Sequence, residues 1–393
     1  MAWLDSLLSA FKGGAPDRVP LAPGLSSAIH GDWIGTMEAR PLEHFEYTAA
    51  VRQSFLANPI AQRAVRIVSE GIAGAPVSSS DAQVTSLVTA TSAGQPLVET
   101  LTAHLLLHGN AFVQIMKDGA GRPFELFALR PDRTRVAADD QGWPCAVIYT
   151  VGADQRRIPF EDEDGWPNII QIKAMHPLDD HYGAGALAAA QQAVHIHNAA
   201  SIWNRALLEN AARPSGALVY DTGDGAGLTT DQFERLKSEL NTAFTGAANA
   251  GRPMLLDGGL KWQRMALSPA DMDFATLKST AAREVALAFG VPPMLLGLPG
   301  DNTYSNYREA NKALWRLTLL PLANKLFAAL LEGLSPWFPD AKLSVDLDQV
   351  PALAEDREKL WKQISGADFL TDGEKRELLG LPATPETQAE ANL

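Results

Sequence analysis

The densest group of metal-ligand side chains in the 393-residue sequence is His176, Asp179, Asp180 and His181, within HPLDDHYG. Imidazole and carboxylate are what zinc and related ions take, so a metal-dependent enzyme would be built on His176, Asp179 and His181. Their spacing matches no metal motif, and the plainer reading is a polar loop entering a helix near Gly183. His104 and His108 have the i, i+4 spacing of HExxH zinc sites, but Leu105 stands where that motif needs Glu, and the surrounding helix is strongly apolar. They read as structural histidines. His195 and His197, two apart, point to different faces of a helix. Cys145 follows Trp143-Pro144 with no histidine beside it, which reads as an inert thiol. Neither GxxxxGK[ST] nor GxGxxG occurs, and TGDGAG (222–227) puts an acid where a phosphate would sit. The expectation is a protein with no catalytic residues, no cofactor and no metal.

A different constellation lies further on. Arg308, Lys312 and Arg316 recur at i, i+4 and i+8, one stripe of a helix. The stripe is either a solvated or acid-paired face, or a surface turned to a neighbouring subunit or a passing polyanion. Directly before it runs the polar segment Asp301, Asn302, Thr303, Tyr304, Ser305 and Asn306, in GVPPMLLGLPGDNTYSNYREANKALW (290–315). With the prolines and glycines before it this makes a loop of about a dozen residues, and loops of that length without structure of their own tend to be functional.

The elements that must position these residues are legible from period and caps. A short amphipathic helix carries Trp3, Leu4, Leu7, Leu8 and Phe11 and docks on protein, in cis or on a partner, and an extended proline-containing arm follows over 14–45. Asn58 and Pro59 start a helix over 58–73, and Pro96 and Gly109 bracket a second. A hairpin follows near 111–131, with further strands near 145–151 and 168–174, so 46–182 is an α+β domain. An alanine-rich helix occupies 183–211. The insert 212–266 holds a strand (217–220), a helix (231–244) capped by Thr230, and strands near 253–256 and 260–266. Ser268 and Pro269 open a helix that Gly290 closes. A long helix over 306–334 is kinked at Pro321. A helix near 352–365 and a capping box at Thr371–Glu374 complete the pattern, and the last ten residues read as disordered.

Composition narrows the class. At 46% hydrophobic and 20% charged residues the chain is globular, and its length calls for two or three packed units. No uncharged apolar run is long enough to span a bilayer, and the N-terminus lacks a secretory pattern. A single cysteine excludes an internal disulfide framework and fits a reducing compartment. A net charge of −13 argues against a protein that grips nucleic acid tightly.

The order of elements resembles the HK97-type portal proteins of tailed phages. The resemblance is carried by LLLHGNAFVQI (105–115), GAGALAAAQQAVHIHNAA (183–200), NAARPSGAL (210–218), LDGGLKWQRMALSPADMDF (256–274) and FLTDGEKRELLGLPA (369–383). Its most specific part is LAFGVPPMLLGLPGDNTYSNYREANKALWRLTLLPLANKL (287–326). The compact, alanine-rich form is similar to portals of bacterial gene transfer agents. The resemblance implies a multi-domain α+β portal fold with wing, stem, clip and crown, assembled as a ring, usually a dodecamer, at one capsid vertex. By position, 46–182 would be wing, 183–211 and 267–290 the stem helices, 212–266 the clip, and 291–305 the tunnel loop. The long kinked helix would be 306–334, and 335–393 the remaining wing and crown. Implied partners are the major capsid protein, the terminase large subunit, a head-tail adaptor and double-stranded DNA passing without sequence specificity, with no membrane. The implied place is the portal vertex of a virion or virus-like particle made in the bacterial cytoplasm. A head-tail adaptor ring and the metal-dependent enzyme are the alternatives.

Overall fold

The computed structural model describes residues 46–209, 216–220, 229–244, 260–264, 274–299 and 303–379. The expected N-terminal helix and arm, the strand near 253–256, the cap at Ser268-Pro269, and the chain beyond 379 lie outside these residues.

In chain order the first elements are α1 (Tyr47–Gln53) and α2 (Pro59–Ala73). Asn58 starts α2 as expected: its side-chain oxygen accepts from the amides of Ile60 and Ala61, both at 3.0 Å. The polar stretch that follows proves more structured than its composition suggests. It forms β1 (Val77–Ser79), α3 (Ala82–Thr89), β2 (Thr91–Ser92) and β3 (Gln95–Pro96). Asp81 caps α3, and Val84, Leu87 and Val88 give it a buried face. The turn between β2 and β3 places Ala93 and Gly94 in the left-handed region, as a tight hairpin requires.

Next come α4 (Leu97–His108), β4 (Asn110–Lys117), β5 (Pro123–Leu129), β6 (Thr134–Ala138), β7 (Pro144–Val151), β8 (Asp154–Pro159) and β9 (Ile169–Lys173). These strands make two antiparallel three-stranded sheets, β5-β4-β9 and β6-β7-β8. Phe112, Leu129, Val136, Val147, Ile158 and Ile169 form a shared core between them, flanked by Phe127, Tyr149, Phe160 and Tyr182. The strands β6 and β8 carry few apolar residues beyond Val136 and Ile158, which is why the sequence pattern missed them.

The remaining elements are α5 (Ala186–Glu209), β10 (Gly216–Tyr220), α6 (Thr230–Phe244), β11 (Leu260–Arg264) and α7 (Phe274–Ala288). After these follow α8 (Tyr304–Leu314), a π-helical segment (Trp315–Leu319), α9 (Leu320–Leu334), β12 (Leu343–Val345), α10 (Ala354–Ser365) and α11 (Asp372–Leu379). The strands β10 and β11 pair antiparallel from Gly216↔Arg264 to Tyr220↔Leu260. The cap of α6 is Thr229, one residue before the expected Thr230, through a reciprocal exchange with Gln232. The capping box at Thr371 and Glu374 forms as read.

The chain folds into two compact units. One holds 79–185 and 326–343. Among the described residues, the other holds 46–78, those within 186–325, and 344–379. Helices α1 and α2 belong with the alanine-rich helices in the second unit. In that second unit α5 packs along α7, and α2 also lies on α7. Leu187, Ala190, Ala193, Val194 and Ala200 of α5 are buried, as are Ala281, Ala282, Val285 and Ala286 of α7. Small side chains let the two backbones approach closely, so part of the alanine content serves packing within the chain. Asn58 ties this pair to α2, donating to Nδ1 of His197 at 3.1 Å and to Asn198 at 2.9 Å.

By length and composition the run Tyr304–Leu334 passes as a membrane-spanning helix, with hydropathy 1.4 over its most apolar window. That differs from the reading of the bare sequence. Of its apolar residues, Leu319, Ala323, Leu326, Phe327, Leu330 and Leu334 are buried in protein, whereas Leu317 is exposed.

Candidate functional site

The segment between α7 and α9 is built from its two ends. Gly290 adopts φ +67°, in the left-handed region, and a β-carbon there would crowd Thr318. Only glycine ends α7 at that point without strain. The hydroxyl of Thr318, in the π-helical segment, donates to the carbonyl of Gly290 at 2.7 Å. Pro293–Leu296 form one 3-10 turn that stops at Gly297, also left-handed. The guanidinium of Arg283, on α7, donates to the carbonyl of Pro299. The start of the segment is thus held by two side chains that the sequence reading did not single out.

Asp301 and Asn302 lie outside the described residues. Thr303 is the N-cap of α8, its hydroxyl oxygen accepting from the amide of Asn306 at 3.2 Å. Tyr304, Ser305 and Asn306 form the first turn of α8 rather than loop, so the helix begins two residues before the expected 306. Residues 303–309 are all exposed, Tyr304 at 84% and Tyr307 at 52%.

Behind the tip, Arg308, Lys312 and Arg316 do form one stripe, and the structure brings all three to the first turn of α10. Arg308 reaches Glu355 at 2.8 Å, and Arg316 reaches Asp356 at 2.5 Å. Lys312 sits between Glu355 at 3.1 Å, Glu309 at 3.6 Å and Asp356 at 3.7 Å, its side chain only 9% exposed. The hydrogen bond to Glu355 holds the Lys312 ammonium pKa above its ordinary value, and the same bond holds the Glu355 carboxyl below its own. The acids also sit where a helix N-terminus favours negative charge. That local signal was in the sequence, but the pairing spans some forty residues and was not. An open cleft of about 300 Å³ lies alongside, lined by Tyr304, Tyr307, Asn311, Pro351 and Ala352 together with the charged groups.

Between α8 and α9 the backbone is π-helical, and the amide of Leu320 bonds to the carbonyl of Trp315, five residues back. Pro321 explains it. Its ring would clash with the carbonyl four residues earlier in a regular helix, and one extra residue in the turn removes that clash. The helix expected to be disturbed at Pro321 carries this π segment on the N-terminal side of that residue.

The other candidates are committed locally. Asp179 accepts from the amides of His181 at 2.8 Å and Tyr182 at 2.9 Å, and His176 Nδ1 accepts from the amide of Leu178 at 3.1 Å. The ring of His181 bonds to the carbonyl of Gly142 at 2.9 Å. These side chains shape a turn, and among the described residues no group of three or more His, Cys, Asp or Glu converges as a metal site would. His104 and His108 are pushed down to about 4, first by burial. Cys145 lies half-buried against the carbonyl of Ala137 at 3.4 Å, with Arg157 at 3.2 Å.

Comparison with known proteins gives consistent matches. The profile of the phage portal protein family covers residues 59–380. A chain in the neck of a native gene transfer agent particle, computed with C12 symmetry, is 47% identical over 86% of this chain and 94% of its own, with a TM-score of 0.65. A Rickettsia bellii protein is 42% identical over 295 residues, 74% of each chain. The portal protein of Enterobacteria phage HK97 is 22% identical over 233 residues, 59% of this chain and 52% of its own.

Proposed function

The chain belongs to the phage portal protein family, and from that premise we propose how its parts serve a portal. The protein is a portal subunit of the HK97 type, part of a ring that forms the DNA channel at one vertex of a phage or gene-transfer-agent particle. The finer reading is that the ring is a dodecamer, as the 47% identical chain in a neck of C12 symmetry suggests. That likeness is the single observation that carries the assignment.

In this reading α5 and α7 are the stem, and the insert 212–266 between them is the clip that meets the terminase large subunit and later a head-tail adaptor. On α5, Ala188, Ala189 and Ala199 remain exposed, as do Ile202 at 69% and Trp203 at 43%. Trp203 stacks on Phe274 of α7 at 5.6 Å, and the exposed remainder of this face suits contact with the next subunit. The segment 291–306, including Asp301, Asn302, Thr303, Tyr304, Ser305 and Asn306, lines the channel, and the major capsid protein surrounds the wing.

The electrostatics favour passage over binding. Tight, salt-sensitive DNA binding comes from cations that neutralise phosphates. Here the stripe Arg308, Lys312 and Arg316 is already paired with Glu355 and Asp356. The exposed tip Thr303–Asn306 offers hydroxyl and amide groups without fixed charge. Double-stranded DNA therefore slides past weak, exchangeable hydrogen bonds, without sequence specificity. The chain performs no catalysis, and the terminase supplies the energy of packaging.

Electron microscopy of the purified protein, alone and with capsid protein, tests the assignment. The expected result is twelve-fold rings with a hole wide enough for a duplex. A closed dimer under both conditions would overturn it. Cross-links from 212–266 to the terminase separate a portal from an adaptor ring.

A further inference from the structure

The long helix over the channel segment is held in two different ways along its length. Its lower part is packed: Leu314 and Leu319 are buried, and a β-carbon added at Gly71 of α2 would touch Leu319. Its upper part, α8 before Leu314, is more exposed, although it also meets the 3-10 turns Pro293–Leu296 and Pro351–Leu353. There the face toward α10 is spanned by the pairs of Arg308, Lys312 and Arg316 with Glu355 and Asp356, beside an open cleft of about 300 Å³. Close-packed apolar contacts fix a helix sharply, whereas ion pairs beside open space tolerate movement. The boundary between the two parts is the π segment. It is also where both connections meet, because Arg316 reaches α10 and Thr318 reaches Gly290 at the end of α7.

We infer that Glu355 and Asp356 are positioning residues for the channel segment, setting the angle of α8 through the basic stripe, with the π segment Trp315–Leu319 as the joint. Thr318 passes that setting to the start of the channel segment, and Arg283 holds Pro299 against α7. The C-terminal helix α10 thus governs how α8 is aimed. The inference rests on the portal reading only for its consequence, since the coupling is a property of the chain alone.

Hydrogen exchange on the purified protein tests it without DNA or capsid. In the double variant Glu355→Gln/Asp356→Asn, amides of 303–314 should exchange faster by about ten-fold or more, with 290–299 following. Amides of 276–286 should be unchanged. Raising the wild-type protein to about 1 M NaCl, where screening reaches within about 3 Å, should move the same amides in the same direction. Thr318→Val should speed 290–299 and leave 354–365 alone. Acceleration confined to 354–365 in the double variant would mean that the pairs only staple α10, and would overturn the inference. So would an unchanged 290–299 in Thr318→Val. Neither failure touches the ring assembly that tests the portal reading.

Discussion

Two junctions in this molecule do similar work by opposite means. In the first unit, α4 runs into β4 at Gly109, and the chain returns beside it at Gly183–Gly185. A β-carbon on Gly109 or Gly183 would overlap the other's carbonyl oxygen. Asn110, fully buried, accepts from the amide of Gly183 at 2.9 Å and donates to His108 at 3.1 Å. In the second unit, α8 and α10 meet through ion pairs beside an open cleft. The first junction is fixed by shape and admits one arrangement. The second is held by charge beside open space. A part that guides a moving polymer needs both kinds, one to stay put and one to yield.

The comparison can be broken most sharply at the glycines. Gly109→Ala adds a forbidden overlap to a φ of +85° and should destabilise the first unit by more than about 3 kcal/mol, read by urea unfolding. A cost near that of an ordinary surface change would show that the junction yields after all. Asn110→Ala leaves the amide of Gly183 without its acceptor and removes one bond to the ring of His108, at about 2 kcal/mol by the same measurement.

Acid probes the shape-fixed side more gently. His104 and His108 titrate near 4 in the folded chain because burial disfavours their charged forms, with the neighbouring His108 adding to the effect on His104. An unfolded histidine titrates near about 6.5, so between those values the unfolded chain binds more protons. Stability is full above that window and falls as pH drops through it. Thermal unfolding should shift downward from about pH 7 to about pH 5, and His104→Leu should flatten the slope. The smallest effect belongs to the charged side. Arg308→Gln should leave unfolding of either unit almost unmoved while loosening α8 in exchange measurements, since exposed pairs add little to global stability.

What could be read in advance divides along the same line. Helix stops and caps were legible because their chemistry is local. Asn58 before Pro59, Gly109, Gly290 and the Thr371–Glu374 box each act within a turn of their own position. Pro321 announced a disturbance, but not that an extra residue would absorb it on the N-terminal side. The basic stripe was visible by spacing, whereas its partners Glu355 and Asp356 depend on where α10 comes to lie. Arg283 and Thr318 gave no signal, because each reaches a carbonyl oxygen, and any residue supplies one.

The pairing of β10 with β11 has a consequence of another kind. Tyr220 and Leu260 stand opposite each other, so the 39 residues between them leave and re-enter through one narrow doorway. A cassette with adjacent ends can be exchanged without disturbing its mount. Replacing 221–259 by a two-residue turn, or by the corresponding stretch of a relative, should preserve the α5–α7 pair. The mount and the inserted cassette can then change at different rates while the frame stays the same.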